Sequence, residues 1–403
     1  MNRNYIHTGA VLLTAATLAA CSSPPSQTAT SSTTVASPAT SSANAGVDTA
    51  ALKPGNYPTT PAPPKPWTLD AALVMQANQM ADFVVGPWEV DPDLTAIQLQ
   101  AFTITDAKNL RAILTTDGTK AAEHHFLNAF VDLRVDRYHP DGKELVTMVM
   151  RFPTPEDAEA AARDLSAELG SYADAGAQET AFIPGHPEAH ATQSPQPGGK
   201  YQVTALTAHG PFVLYQQAQS PDNAEAAAAL AGKTIDVQAP RIDQYHPSDP
   251  AQPQNLDPTG LIAKTIPSPN TGNINVRGFY GDLHYTASPI QTAQRNTAAG
   301  VDYTSNGGTA VIQTKDPAAA TTLAKQIFDL NKGGVKPGPT VEGLPAAKCL
   351  ESPTSNTATP DPTAPPNLRC VTPMGRWVVL AADQQATAIT QQVSAQYLLL
   401  LGK

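Results

Sequence analysis

Basic charge, cysteine and long apolar runs are all scarce in this chain, and each shortage excludes something. Lys and Arg number 25 against 35 Asp and Glu, a formal charge of −10. No Lys/Arg cluster interrupts that acidity, so nucleic acid and anionic lipid headgroups are repelled rather than gathered. After the first twenty residues no stretch approaches the roughly 20 apolar residues a spanning helix needs. The closing Tyr397-Leu398-Leu399-Leu400-Leu401 is short, and reads as the buried end of a helix. Chemical signatures are missing too. There is no Gly-rich phosphate loop, no nucleophile elbow and no zinc-protease helix motif, so no cofactor is expected.

What is present begins at the amino terminus. Arg3 supplies a positive n-region, and Thr8 to Ala16 form a short apolar stretch. Leu18-Ala19-Ala20-Cys21 then reads as a lipoprotein cleavage site, with small residues before a cysteine whose thiol takes a diacylglyceryl group. The alternative is an ordinary secretory signal that happens to end near a cysteine. Residues 1–20 are therefore expected to be a signal peptide, with Cys21 lipidated and bearing palmitate-type chains. Loss of Arg3 with that peptide shifts the mature charge from −10 to −11. Residues 21–50 are nearly all Ser, Thr, Pro, Ala and Gln, too poor in apolar surface to offset chain entropy, and are expected to be a disordered tether.

Two cysteines remain, Cys349 and Cys370. Outside the cytoplasm an isolated pair is most simply a disulfide. The Pro- and Thr-rich stretch between them looks like a loop whose base needs a clamp. A catalytic thiol would need a base, and no histidine follows position 284.

The rest of the chain reads twice. Thr154-Pro155-Glu156-Asp157 opens a helix with Ala158, Ala161, Ala162, Leu165 and Leu169 on one face; Asp316-Pro317 opens another, with Ala320, Leu323, Ala324, Ile327 and Phe328 inward. Each follows a strand, Leu145 to Phe152 and Thr309 to Thr314, and each strand follows a turn. Downstream, 183–189 resembles 341–347 and 210–214 resembles 375–379. Further helices are expected from Ser220-Pro221-Asp222 and near Gln384, and 128–132 is aligned with 297–302. Each half reads strand, strand, helix, strand, strand, helix. The fold expected is α+β: two related antiparallel-sheet-plus-helix units in tandem, helices on one face of each sheet. The N-terminal domain is placed at 51–246, a Pro-rich linker at 247–258 and the C-terminal domain at 259–403. Extra helices are expected from Thr68 to Phe83, around 106–114 and around 119–126.

Particular segments sharpen this. Gly55-Asn56-Tyr57-Pro58-Thr59, Met80 to Val90 with its Gly86-Pro87-Trp88, Leu256 to Thr265, and Gly300-Val301-Asp302-Tyr303 through Gly307-Gly308-Thr309 resemble the uncharacterised two-domain lipoproteins of mycobacteria, nocardiae and related actinobacteria. The resemblance covers nearly all of the mature chain. It implies an N- and a C-terminal domain of unknown function in a cell-envelope setting, and it assigns no site residues.

Candidate chemistry is sparse. His186 and His190, with Glu188 between them, are the best metal candidates, but Pro187 forbids a helix carrying both imidazoles on one face, and 341–347 has Leu344 in the corresponding place. His124-His125 reads as structural, and Glu156, Asp157, Glu159, Asp164 and Glu168 as a solvated helix face. Trp88, expected in a loop, is the candidate anchor for a partner. The functional expectation is an exported, lipid-anchored protein at the outer face of the cell membrane or farther out in the envelope. There it would act as a non-catalytic binding module for an apolar ligand or for a protein or glycan partner. The alternative is an extracytoplasmic hydrolase with an unrecognised site.

Overall fold

The computed structural model describes residues 46–402 apart from 115, 117, 140, 171–177, 270–272, 334 and 353–365. The expected signal peptide, Cys21 and the tether up to residue 45 lie outside the described residues. From residue 46 the chain is held in place, short of the expected end of the tether at 50. The Asp48 amide donates to the Gly343 carbonyl at 3.0 Å. Leu52 is buried with Leu344 and Val341, and Tyr57 packs on Ile266 and Leu399. Residues 46–57 thus dock on the C-terminal half, although chain order alone had placed 51 onward in the N-terminal domain.

The N-terminal half runs α1 (Leu69–Met80), a 3-10 turn (Ala81–Phe83), α2 (Pro87–Val90), β1 (Ala96–Ile104), a 3-10 turn (Ala107–Ala112), α3 (Thr119–Glu123), β2 (Asn128–Val135), β3 (Glu144–Arg151), α4 (Pro155–Gly170), β4 (Glu179–Thr180), β5 (His190–Pro195), β6 (Tyr201–His209), β7 (Phe212–Ser220) and α5 (Ala224–Ile242). The C-terminal half runs β8 (Asn275–Gly278), α6 (Phe279–Leu283), α7 (Pro289–Ala299), β9 (Tyr303–Asn306), β10 (Thr309–Gln313), α8 (Pro317–Asn331), β11 (Lys336–Pro337), β12 (Lys348–Ser352), β13 (Asn367–Met374), β14 (Trp377–Asp383) and α9 (Ala386–Leu401).

Among the described residues each half holds one antiparallel sheet of seven strands. The orders are β1-β2-β3-β7-β6-β5-β4 and β8-β9-β10-β14-β13-β12-β11, the same path written twice. The tandem α+β reading therefore holds, and each unit is larger than the six elements expected. The repeat is visible down to single turns. His186 N and Ala189 N donate to the carbonyls of Ile183 and His186; Leu344 N and Ala347 N donate to those of Val341 and Leu344. One alignment fails: 297–302 is the end of α7 and the turn after it, and the partner of β2 is β9, which begins at Tyr303.

The helices start where their caps dictate. Thr154 Oγ1 accepts the Asp157 amide at 3.1 Å, and Asp316 Oδ1 accepts the Ala319 amide at 2.8 Å. In α5 the cap is Asn223 rather than the expected Ser220, accepting from Ala226 N at 2.8 Å.

The expectation that helices share one face is corrected. In β3, Leu145 and Val149 pack with α5 residues such as Ala227 and Ile235, whereas Val146, Met148 and Met150 pack with Ala158, Ala161 and Leu165 of α4. Alternate side chains leave opposite faces of a strand, so α4 and α5 cover opposite faces. In the other half Val379 packs with Ile389 and Val393 of α9, and Val378 with Ala320 and Leu323 of α8. Each half is a three-layer α/β/α sandwich. A strand buried on both faces carries a nearly continuous apolar run, as Leu145 to Met150 does, broken by Thr147 whose hydroxyl donates to the Val85 carbonyl.

The disulfide is present: Cys349 on β12 is bonded to Cys370, directly opposite on β13. It closes a loop of 21 residues in sequence separation, worth about 3 kcal/mol in the chain-entropy model.

Candidate functional site

The two halves meet through buried polar groups set among aromatic rings, with Phe130 packed on His284 and Tyr285. Arg134 of β2 and His284 just after α6 are both almost fully buried. Arg134 Nε donates to Asp132 Oδ1 at 3.0 Å, Nη1 donates to the carbonyls of Thr95 and Thr286 at 2.9 Å each, and Nη2 donates to the His284 carbonyl. The His284 ring lies between Asp132 Oδ2 at 2.8 Å and the Val84 carbonyl at 3.1 Å. A carbonyl only accepts, so Nε2 carries a proton and the ring is oriented across the junction.

Trp88 belongs to this junction. It sits in the short helix α2 rather than in a loop, is 7% exposed, and packs 5.2 Å from the His284 ring with the Arg134 guanidinium 5.1 Å from its own centroid. The motif Gly86-Pro87-Trp88 has a packing cause: a Cβ on Gly86 would lie 2.3 Å from the indole. An anchor for an external partner has to be exposed, and this burial removes Trp88 from that role. Its neighbour Glu89 takes a bidentate pair of hydrogen bonds from Arg241, both at 2.7 Å, and Arg241 stacks on Tyr280 of the other half at 4.9 Å.

A second contact sits beside the first. Gly278 opens α6 without a side chain to cap it. Asp82, from the turn after α1, supplies the missing acceptors: its carboxylate takes the amides of Gly278 at 3.1 Å and Gly281 at 2.8 Å. Burial pushes the Asp82 carboxyl up from the ordinary 3.8, against the pull of these amides.

Beyond Asp82 the halves diverge into a cleft of about 1350 Å³. One wall is α1 and the turn after it; the other is β8 with the start of α6 and of β9; residues 244–246 and 256–262 close an end. α1 touches β2 of one sheet and β8 of the other. Its remaining face is turned to the cleft, which is why Val74 stays 39% exposed. Opposite lie Ile274, Val276 and Phe279. A smaller cavity of about 420 Å³ lies between α8 and its sheet beside the disulfide, within one half.

Histidines elsewhere meet carboxylates at or near the surface. His124 meets Asp164 at 2.9 Å and His209 meets Asp243 at 2.7 Å. His186 has both ring nitrogens engaged, by Glu188 at 3.2 Å and Asp236 at 3.0 Å, while His190 stands exposed at the start of β5. Among the described residues no group of three or more His, Cys, Asp or Glu could hold a metal ion. Asp82 is the cleft carboxyl with a raised pKa; with both oxygens accepting backbone amides, it serves as a cap rather than as a proton donor. Sequence reasoning missed Asp82, Asp132, Arg134 and His284. Asp132 and Arg134 lie in an apolar strand of β2, Phe130-Val131-Asp132-Leu133-Arg134, and charges set into such a run were the available signal.

Fold and site together define a duplicated α/β/α protein whose two units lock through a polar junction and share a cleft. Residues 63–258 match the family described as domain of unknown function (DUF7373) N-terminal, and residues 262–403 its C-terminal counterpart. The chain belongs to this family. No curated protein matches it. Among solved structures it is similar to the extracellular domain of PknH from Mycobacterium tuberculosis at 14% identity, over 43% of this chain and 97% of that one, with a TM-score of 0.31.

Proposed function

We propose that this protein is a non-catalytic binding module that takes its ligand in the cleft between the two halves, and that it does so lipid-anchored through Cys21 at the outer face of the cell membrane. The observation that carries the binding reading is the cleft itself. It is larger than most small-molecule sites, is walled by both repeats, and leaves apolar side chains of α1 turned into open space. The junction behind it, built from Asp82, Asp132, Arg134 and His284, holds the walls in place and so lowers the ordering cost of binding. No helix among the described residues is long and apolar enough to cross a membrane; the anchor reading rests on the Leu18-Ala19-Ala20-Cys21 segment.

Two experiments test this reading. Native mass spectrometry of the purified full chain should find a co-purifying small molecule, and Ala71→Trp, which fills the cleft from α1, should remove it with the circular dichroism spectrum unchanged. Retention of the molecule by Ala71→Trp would place it elsewhere. For the anchor, Cys21→Ala should move the protein from the detergent phase to the aqueous phase; unchanged detergent partitioning would rule lipidation out.

A further inference from the structure

We propose that the cleft selects an uncharged amphiphile: an apolar body joined to a hydroxyl- or amide-bearing head without net charge. This rests on the binding reading above and names its ligand class.

Charge decides against anions first. The lining contains Asp70, Asp82, Asp257 and Asp302 but a single cation, Lys65, a formal charge of −3 with histidine neutral. An anionic head brought into this partly enclosed space meets a repulsion that bulk water does not fully screen.

The same aspartates do not make a cation site, because three of them are already occupied. Asp82 holds the Gly278 and Gly281 amides. Asp257 accepts the amides of Ile262 at 3.1 Å and Ala263 at 2.9 Å, which shapes the turn closing the cleft. Asp302 faces the Arg376 guanidinium at 3.2 Å. A ligand cation would have to share these carboxylates with donors already in place, which lowers what each can give it. Among the described residues, Asp70, exposed in the first turn of α1, is the cleft aspartate without a hydrogen-bonded partner, and a lone exposed carboxylate holds a cation weakly.

The neutral groups fit a neutral head. Gln79 and Asn275 carry amides that both donate and accept, and the Tyr303 hydroxyl does the same, whereas the Asn78 amide already donates to the Val74 carbonyl at 2.9 Å. Between them Val74, Met75, Ile274, Val276 and Phe279 supply the apolar wall, with the flexible methionine able to follow an irregular chain.

Three lipids with one oleoyl or oleyl chain separate the possibilities: monooleoylglycerol, its phosphate ester 1-oleoylglycerol 3-phosphate, and oleylamine. Each is titrated below its aggregation concentration against the full chain carrying the neutral dye Nile red. Monooleoylglycerol should displace the dye at a concentration at least about tenfold lower than either charged lipid, and Val74→Glu should abolish dye binding with folding intact. Equal or better displacement by the phosphate ester or the amine overturns the proposal but leaves the binding reading standing. Dye binding that survives Val74→Glu overturns the assignment to this cleft. If neither the dye nor any of the three lipids binds, the binding reading itself falls.

Discussion

Replacing Arg134 with methionine should weaken the protein more than any surface change, because of what the guanidinium holds. The side chain is fully buried and its hydrogen bonds reach one carboxylate and three backbone carbonyls, two of them, Thr286 and His284, in the other half. Methionine fills a similar volume but donates nothing. It leaves the Asp132 carboxylate supported by His284 alone at 2.8 Å, and strands the Thr95, Thr286 and His284 carbonyls. Removing one partner of a buried ion pair costs about 3–5 kcal/mol, since the remaining charge is uncompensated. At roughly 2–4 °C per kcal/mol for units of this size, the midpoint should fall by about 6 °C or more. Differential scanning calorimetry of the purified protein reads this directly. Adding Asp132→Asn in the Arg134→Met background should recover part of the loss, because the unpaired carboxylate is then gone. A midpoint within about 2 °C of wild type for Arg134→Met would refute the account of the junction as an ionic lock.

Other outcomes follow from the same contacts. Trp88→Ala should lower stability by about 3–5 kcal/mol in urea unfolding, the cost of emptying a buried aromatic site; a change below 1 kcal/mol would mean the indole is not part of the junction. Cys349→Ser with Cys370→Ser should cost about 3 kcal/mol with the fold retained, read as a lower urea midpoint. Asp82→Asn tests the raised carboxyl. A folded-state pKa above 3.8 means that the stability associated with the proton is present below that value and is lost as pH rises through the folded pKa. Wild type should therefore lose stability relative to Asp82→Asn as pH is raised from about 4 towards neutrality, and a difference that grows in favour of wild type over that range would contradict the assignment.

Much of the architecture is determined by local sequence. Thr154-Pro155 and Asp316-Pro317 cap helices by chemistry that acts within one turn, so both helices begin where the residues say. The repeat is equally legible, because turn geometry at 183–189 and 341–347 depends only on neighbours. The disulfide follows from counting cysteines, with register then placing Cys349 opposite Cys370. Tertiary structure alone decides the rest. Periodicity shows that Leu145 to Met150 is apolar, yet whether one or two helical layers cover it depends on where α4 and α5 return over the sheet. Trp88 looks like an anchor in sequence and becomes core only because His284, nearly 200 positions away, is brought against it. Asp82 carries no local mark of its role, which exists only once Gly278 arrives needing a cap. The cleft is not encoded in any segment. It is the space left when two duplicated units are joined at a polar junction, and its walls come from residues that no local rule connects.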